Sequence, residues 1–100
     1  MNINQLMQRA QQLQRKVTKK QAELDAEIHQ FEGSNGLIKG TIKGSLEIVT
    51  LEIDSSLCNT EAKEDLEALL TVTLNKVIKE VSEKKEKAME AITGGAKGLF

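Results

Sequence analysis

Residues 2–31 contain neither glycine nor proline, and this constrains the fold more than any other feature of the sequence. Apolar residues recur there at intervals of three or four positions, with one interval of seven after Val17, at Ile3, Leu6, Ala10, Leu13, Val17, Leu24, Ile28 and Phe31. This spacing predicts one long amphipathic helix. Because Lys20 and Glu27 occupy companion positions of the heptad, a clean seam is expected only in its first half. The residues of that seam, which we expect to meet a partner, are Ile3, Leu6, Ala10 and Leu13.

A second pattern follows Phe31, where glycine and β-branched residues become frequent. Asn35-Gly36 is a strong two-residue hairpin signal, and Gly44-Ser45 predicts another turn. We therefore predict three antiparallel strands, over residues 31–34, 37–43 and 46–53. In the third, Val49, Leu51 and Ile53 should share one face. Gly40 stands where a branched residue would pack better, which predicts a bulge or a close backbone approach.

The last third of the chain predicts a second long helix. Thr60 is the expected N-cap, and acidic residues follow it in the first turns. A wide apolar face comprises Leu66, Leu69, Leu70, Thr73, Leu74, Val77, Ile78 and Val81. From Ser82 the chain becomes highly charged, so the helix either continues or breaks into two. Gly94-Gly95 should end it, leaving residues 94–100 as a mobile tail.

These elements predict an α+β fold in the order α-β-β-β-α, within a single domain over residues 1–93. With 100 residues the chain matches one ordinary domain. Its apolar fraction of 39% is small for that length, so a second subunit is the natural way to bury more surface.

The scarcity of reactive and aromatic residues excludes several classes of protein. One cysteine, Cys58, and one histidine, His29, can form neither an internal disulfide nor a four-ligand zinc site. Phe31 and Phe100 are the only aromatic residues, which excludes a base-stacking platform. No catalytic set or phosphate loop is present. We predict no enzyme, cofactor, metal or small-molecule substrate, with Cys58 buried, His29 in a surface or capping role, and an Asx-type turn at Asp54.

No apolar run is long enough for a signal peptide or a membrane-spanning helix. We therefore expect a cytoplasmic protein in a reducing compartment.

Positive charge is concentrated at one end of a chain whose formal net charge is −1. Residues 1–20 contain no acid and carry five cations, Arg9, Arg15, Lys16, Lys19 and Lys20. At 100° per residue these cations lie opposite the apolar stripe, with Gln5, Gln8 and Gln12 between them. Such a face either contacts phosphates or is merely solvated. A second cluster, Lys84, Lys85 and Lys87, is interleaved with Glu83, Glu86 and Glu90, which favours a salt-bridged helix end.

The order and spacing of four segments resemble the YbaB/EbfC family of bacterial nucleoid-associated DNA-binding proteins. The segments are LMQRAQQLQRKV, GLIKGTIKGSLEIVTLEIDSSL, ALLTVTLNKVIKEV and GGAKGLF, so the resemblance covers nearly the whole chain. It implies a homodimer in the nucleoid whose first helices project like tweezers and hold, bend or compact duplex DNA. It also implies that the first and last helices contact DNA, here through Arg9, Arg15, Lys16, Lys19, Lys20, Lys84, Lys85 and Lys87.

Two other functions compete with DNA binding. A peripheral membrane protein could lay the first helix on anionic lipid, but its basic half has no Trp or Phe to grip the bilayer. A non-catalytic adaptor dimer that binds a protein partner through the first helix remains open, because its sequence pattern would be the same.

Overall fold

The computed structural model describes residues 2–94, and its elements confirm the predicted α+β order. The elements are α1 (Ile3–Ala26), β1 (Ile28–Gly33), β2 (Ile38–Lys43), β3 (Ile48–Ile53) and α2 (Lys63–Thr93). Two short 3-10 turns, Ser55–Leu57 and Thr60–Ala62, connect β3 to α2. Except for Gly94, the predicted tail lies outside the described residues.

Helix α1 is shorter than its apolar spacing predicts. It begins after Asn2, whose side-chain oxygen accepts a hydrogen bond from the Gln5 N–H at 2.8 Å, and it ends at Ala26. The prediction that the helix continues to Phe31 was wrong. Residues 28–33 instead pair with β2, and Phe31 packs against the hydrophobic core. Backbone pairing and core burial therefore outweigh the helical spacing of Ile28 and Phe31.

The three strands form an antiparallel sheet in the order β1-β2-β3. The hairpin at Asn35-Gly36 is confirmed, but its loop has four residues, 34–37, rather than two. Ser34, Asn35 and Gly36 all have positive φ. Gly40 confirms the expected close approach, because an added Cβ would overlap the Thr50 carbonyl oxygen and lie 2.6 Å from Cζ of Phe31.

A register shift lies between Thr41 and Ile42, one residue beyond Gly40. Because of the shift, Ile48 rather than Val49 stands opposite Ile42. Val49 therefore falls at the irregularity instead of joining Leu51 and Ile53 in a regular alternation.

Helix α2 packs on β1 and β2, on one face of the sheet. The buried apolar residues in the described part of the chain are Leu24, Ile38, Ile42, Leu57, Val77 and Val81. Ile42, Val77 and Val81 form one cluster, and the buried Thr73 stands directly over Gly33. This small core fixes α2 against β1 and β2.

The approach to α2 differs from prediction in two places. Thr60 does not cap α2, whose N-cap is Ala62 and has no side-chain capping bond. Asn59 instead caps the preceding 3-10 turn, since its Oδ1 accepts a hydrogen bond from the Ala62 N–H at 2.9 Å. Thr60 instead opens the 3-10 turn that precedes the α-helix. Cys58 is exposed rather than buried, because the preceding 3-10 turn places Leu57 in the core. The expected turn at Asp54 is confirmed by a hydrogen bond from the Ser56 N–H to Oδ2 at 3.0 Å.

Helix α2 is continuous from Lys63 to Thr93, which settles whether the charged segment breaks it. It ends at Gly94, whose φ is 51°. Neither α1 nor α2 has the length and apolar character required to cross a membrane.

Candidate nucleic-acid interface

Helix α1 forms an arm that contacts the rest of the protein along one narrow line. Leu13, Val17 and Lys20 are half-buried and Leu24 is buried, whereas every residue from 3 to 12 is exposed. These four residues are spaced by four, three and four positions, so they lie on one side of the helix. The described molecule is 70 Å long and only 19 by 17 Å across. Most of the α1 surface is therefore open to solvent.

The open surface of α1 carries four exposed cations. Arg9, Arg15, Lys16 and Lys19 spread over about 15 Å of the helix axis. Within residues 2–94, none of them forms an ion pair. The first acidic residue of the chain is Glu23, beyond all four. Guanidinium and ammonium groups without local counter-charges are suited to phosphate oxygens, to which they donate charge-assisted hydrogen bonds.

Lys20 lies apart from those four cations. Its position on the half-buried line directs it towards α2, and it shares a cavity of about 260 Å³ with His29 and Lys84. Glu27 also lines this cavity, where its Oε2 lies 3.7 Å from Nε2 of His29. The structure therefore places Lys20 with the second basic cluster instead of the first.

The three predicted cations of α2 have different surroundings. Lys84 and Lys87 are exposed and line an open cleft of about 910 Å³ between β1 and α2. Lys85 is half-buried and forms an ion pair with Asp25 near the end of α1. Sequence reasoning missed Asp25, because nothing in the local pattern links residues 60 positions apart.

The apolar residues predicted to meet a partner differ in exposure. Ile3 and Leu6 are 75% and 59% exposed, and Ala10 is exposed as well. Leu13, in contrast, lies on the half-buried line that faces α2. The first three are thus available to another molecule, and Leu13 is largely used within the chain.

A second exposed apolar surface lies around β3, which is an edge strand. We call it the β3 surface, and it comprises Leu46, Ile48, Leu51 and Ile78. These side chains are 36–43% exposed. Ile78 lies one helical turn before Ser82, which lines a cavity together with Leu46. The alternation of β3 suggested one buried face, but the sequence does not reveal which strand is left at the edge.

The described residues hold no group of three or more His, Cys, Asp or Glu side chains that could bind a metal ion.

Comparison with known proteins places the chain in a family. Residues 1–96 match the model of the YbaB/EbfC DNA-binding family. A nucleoid-associated protein of Chloroflexus aurantiacus is 37% identical over 100 residues, which cover all of both chains. Another, from Thermoanaerobacter pseudethanolicus, is 32% identical, with 99% of this chain and 91% of the relative covered.

A crystal structure of an uncharacterized Helicobacter pylori protein has a similar fold, with a TM-score of 0.79 and 26% sequence identity. The match covers 94% of this chain and 99% of that one. The chain therefore belongs to the YbaB/EbfC DNA-binding family, which confirms the resemblance found in the sequence.

Proposed function

We propose that this protein is a nucleoid-associated protein of the bacterial cytoplasm that binds duplex DNA as a homodimer and bends or compacts it. The observation that carries the proposal is the open face of α1, where Arg9, Arg15, Lys16 and Lys19 are exposed without ion-pair partners among residues 2–94. The family and the names of its relatives support the same function. Residues 1–93 act as one domain in this proposal.

Phosphates supply most of the affinity in this proposal. Neither of the two aromatic residues lies on α1, so base stacking contributes little there. Each lysine or arginine that meets a phosphate releases about one counterion, so affinity should fall steeply with salt. The same contact extends to Lys20, Lys84 and Lys87 on the side of the body, by which we mean the sheet and α2. A dimer doubles the number of these cations.

The dimer is supported by how much surface the single chain exposes. Its accessible surface is 7427 Å², whereas a compact monomer of 11.0 kDa exposes about 5600 Å². The difference, roughly 1800 Å² per chain, exceeds the about 800 Å² that each partner buries in a typical stable protein–protein interface. We propose that a second copy covers the β3 surface and the exposed α1 stripe of Ile3, Leu6 and Ala10, with Leu13 at its edge.

The DNA contact is tested by a charge-matched pair of variants. One carries Arg15→Gln, Lys16→Gln and Lys19→Gln, and the other carries Lys39→Gln, Lys63→Gln and Lys79→Gln at exposed positions outside α1 and outside the cleft of Lys84 and Lys87. Both lose three positive charges per chain. Binding to unrelated duplexes is measured by gel shift at several salt concentrations. The α1 variant should bind all duplexes more weakly, with a salt slope lower by about one per lost contact.

Other outcomes of that experiment oppose the proposal. Equal weakening by both variants would show a response to net charge alone. Loss confined to one duplex sequence would indicate base readout, with help from Gln8 and Gln12. Absence of binding by the unaltered protein at low salt would leave the adaptor function in its place.

The dimer is tested separately by sedimentation. Leu51→Glu buries a charge if the β3 surface is an interface, and Leu6→Glu does the same for the α1 stripe. Each should shift the protein towards monomer. Val72→Glu is the control, because Val72 is 66% exposed and lines the cleft on the β1 side of α2. Unaltered protein that sediments as a stable monomer at micromolar concentration would contradict the dimer.

A further inference from the structure

The joint between α1 and the body is built first from the backbone. The Gly44 N–H donates to the Glu27 carbonyl at 2.9 Å, and the Ser45 N–H donates to the Asp25 carbonyl at 3.2 Å. The backbone of Gly44 also packs directly against the carbonyl group of Leu24. The end of α1 is thereby attached to the turn between β2 and β3.

One side-chain ion pair spans the same joint. Asp25 on α1 meets Lys85 on α2, and their side chains are 39% and 28% exposed. The ion pairs of His29, Lys43, Lys63 and Lys76 each join residues within four positions of one another. The Asp25–Lys85 pair instead links two helices, and its partial burial reduces screening by solvent and salt.

The position of this pair gives it leverage over the arm. Arg9 lies 16 residues before Asp25, a distance of about 24 Å along the helix. Because residues 3–12 are exposed, the direction of that segment within one chain depends on contacts made between Leu13 and the joint. Over that length, a rotation of α1 by about 10° about Asp25 would move Arg9 by about 4 Å.

We propose that Asp25 and Lys85 are positioning residues that fix the direction in which α1 carries its cations. In this role Lys85 acts through Asp25 and not on phosphate, which differs from the sequence-based expectation that Lys85 contacts DNA. The effect on DNA rests on the proposed function, whereas the effect on the arm does not.

Asp25→Asn distinguishes a phosphate contact by Lys85 from a positioning role, because the two roles predict opposite changes in DNA affinity. If Lys85 contacts phosphate, Asp25→Asn frees it and tightens binding. If the pair positions α1, the same change weakens binding, by roughly three- to tenfold at fixed salt. Glu23→Gln is the control, because it removes one exposed negative charge from the same end of α1. We expect Asp25→Asn to bind more weakly than Glu23→Gln, and tighter or equal binding would overturn the proposal.

Two further variants, Lys85→Gln and a swap of the two charges, provide a second test of the positioning role. Lys85→Gln should weaken binding without changing the salt slope, whereas loss of a phosphate contact lowers the slope by about one. Asp25→Lys combined with Lys85→Asp should recover affinity above that of either single change. A lower slope in Lys85→Gln, or no recovery in the swap, contradicts positioning.

The arm itself can be followed without DNA. Spin labels at Gln8→Cys and Lys79→Cys, both exposed positions, report the distance from arm to body in a Cys58→Ser background. Labelled chains are diluted with unlabelled ones so that each dimer holds one labelled copy. Asp25→Asn should broaden or shift the distance distribution, and the charge swap should restore it.

An unchanged distribution would refute the positioning role. If the distribution changes but the protein binds no DNA, the positioning role is supported and the proposed function is refuted. Failure of the positioning role is therefore distinguishable from failure of the proposed function.

Discussion

Gly44 lies so close to Leu24 that no other residue fits between the β2–β3 turn and the end of α1. A Cβ added at Gly44 would overlap the Leu24 carbonyl oxygen and lie 2.7 Å from the carbonyl carbon. Both neighbours are backbone atoms, and the Leu24 carbonyl oxygen accepts a hydrogen bond from the Glu27 N–H, so no side-chain rotation can relieve the overlap.

We therefore expect Gly44→Ala to lower the free energy of unfolding by about 2–3 kcal/mol, the upper range for overpacking. Urea denaturation measures this change. Ser45→Ala is the control, because the exposed Ser45 contributes its backbone N–H to the joint and should stay within about 0.5 kcal/mol of the unaltered protein. Similar stabilities for the two variants would show that the joint is looser than described.

Gly33 and Thr73 provide a paired test of how α2 sits on the sheet. A Cβ at Gly33 would overlap Oγ1 of Thr73 and lie 2.7 Å from its Cγ2. Gly33→Ala should therefore destabilise the protein by about 1–3 kcal/mol. Adding Thr73→Ala removes both γ atoms and should recover much of this loss in the double variant. An additive double variant would mean that the two positions do not touch.

The capping role of Asn59 can be separated from that of its neighbour. Asn59→Ala removes the acceptor of the Ala62 N–H and should lower the free energy of unfolding by about 1 kcal/mol. Thr60→Ala should have a smaller effect, since a different residue supplies the cap. Thermal or urea unfolding of the two variants checks this. A larger loss at Thr60 would restore the prediction made from sequence.

Asp54 should titrate abnormally in the folded protein. Hydrogen bonds from the Ser56 side chain and backbone lower the pKa of Asp54 below its ordinary value of 3.8. The associated stability is therefore present above the unfolded-state pKa and is lost as pH falls through the folded-state pKa. Carboxyl NMR titration should show the lowered pKa, and Ser56→Ala should raise it. An unchanged pKa in that variant would assign the shift to another group.

Local signals predicted the elements of this fold more reliably than their boundaries. Asn35-Gly36 marked the first hairpin because its positive-φ turn is chemically specific. The end of α1 was missed, since residues 27–31 satisfy helical spacing and only pairing with β2 makes them a strand. Asn59 was missed as a cap because the local sequence does not indicate the 3-10 turn, Thr60–Ala62, that separates it from α2.

The candidate site was only partly accessible from sequence. Helical geometry predicted a basic face on α1, and its four outer cations are exposed as expected. The same geometry also indicates that Lys20 does not belong to the open basic face. Lys20 lies three residues after Val17 and four before Leu24, on the line that faces α2. The Lys85–Asp25 pair depends on the tertiary fold and has no local signature.

The uneven burial of α1 divides the helix into two levels of stability. Leu24 lies in the core, but residues 3–12 are exposed, so within one chain helix hydrogen bonds alone support them and any further support comes from the second copy. A segment of that length is marginal as an isolated helix in water. Its amide hydrogens should therefore exchange through local fraying, far faster than those near Leu24, which require more extensive opening. A phosphate surface bound through Arg9 would order this segment and slow its exchange selectively, so amide exchange of residues 3–12 reports directly on DNA binding.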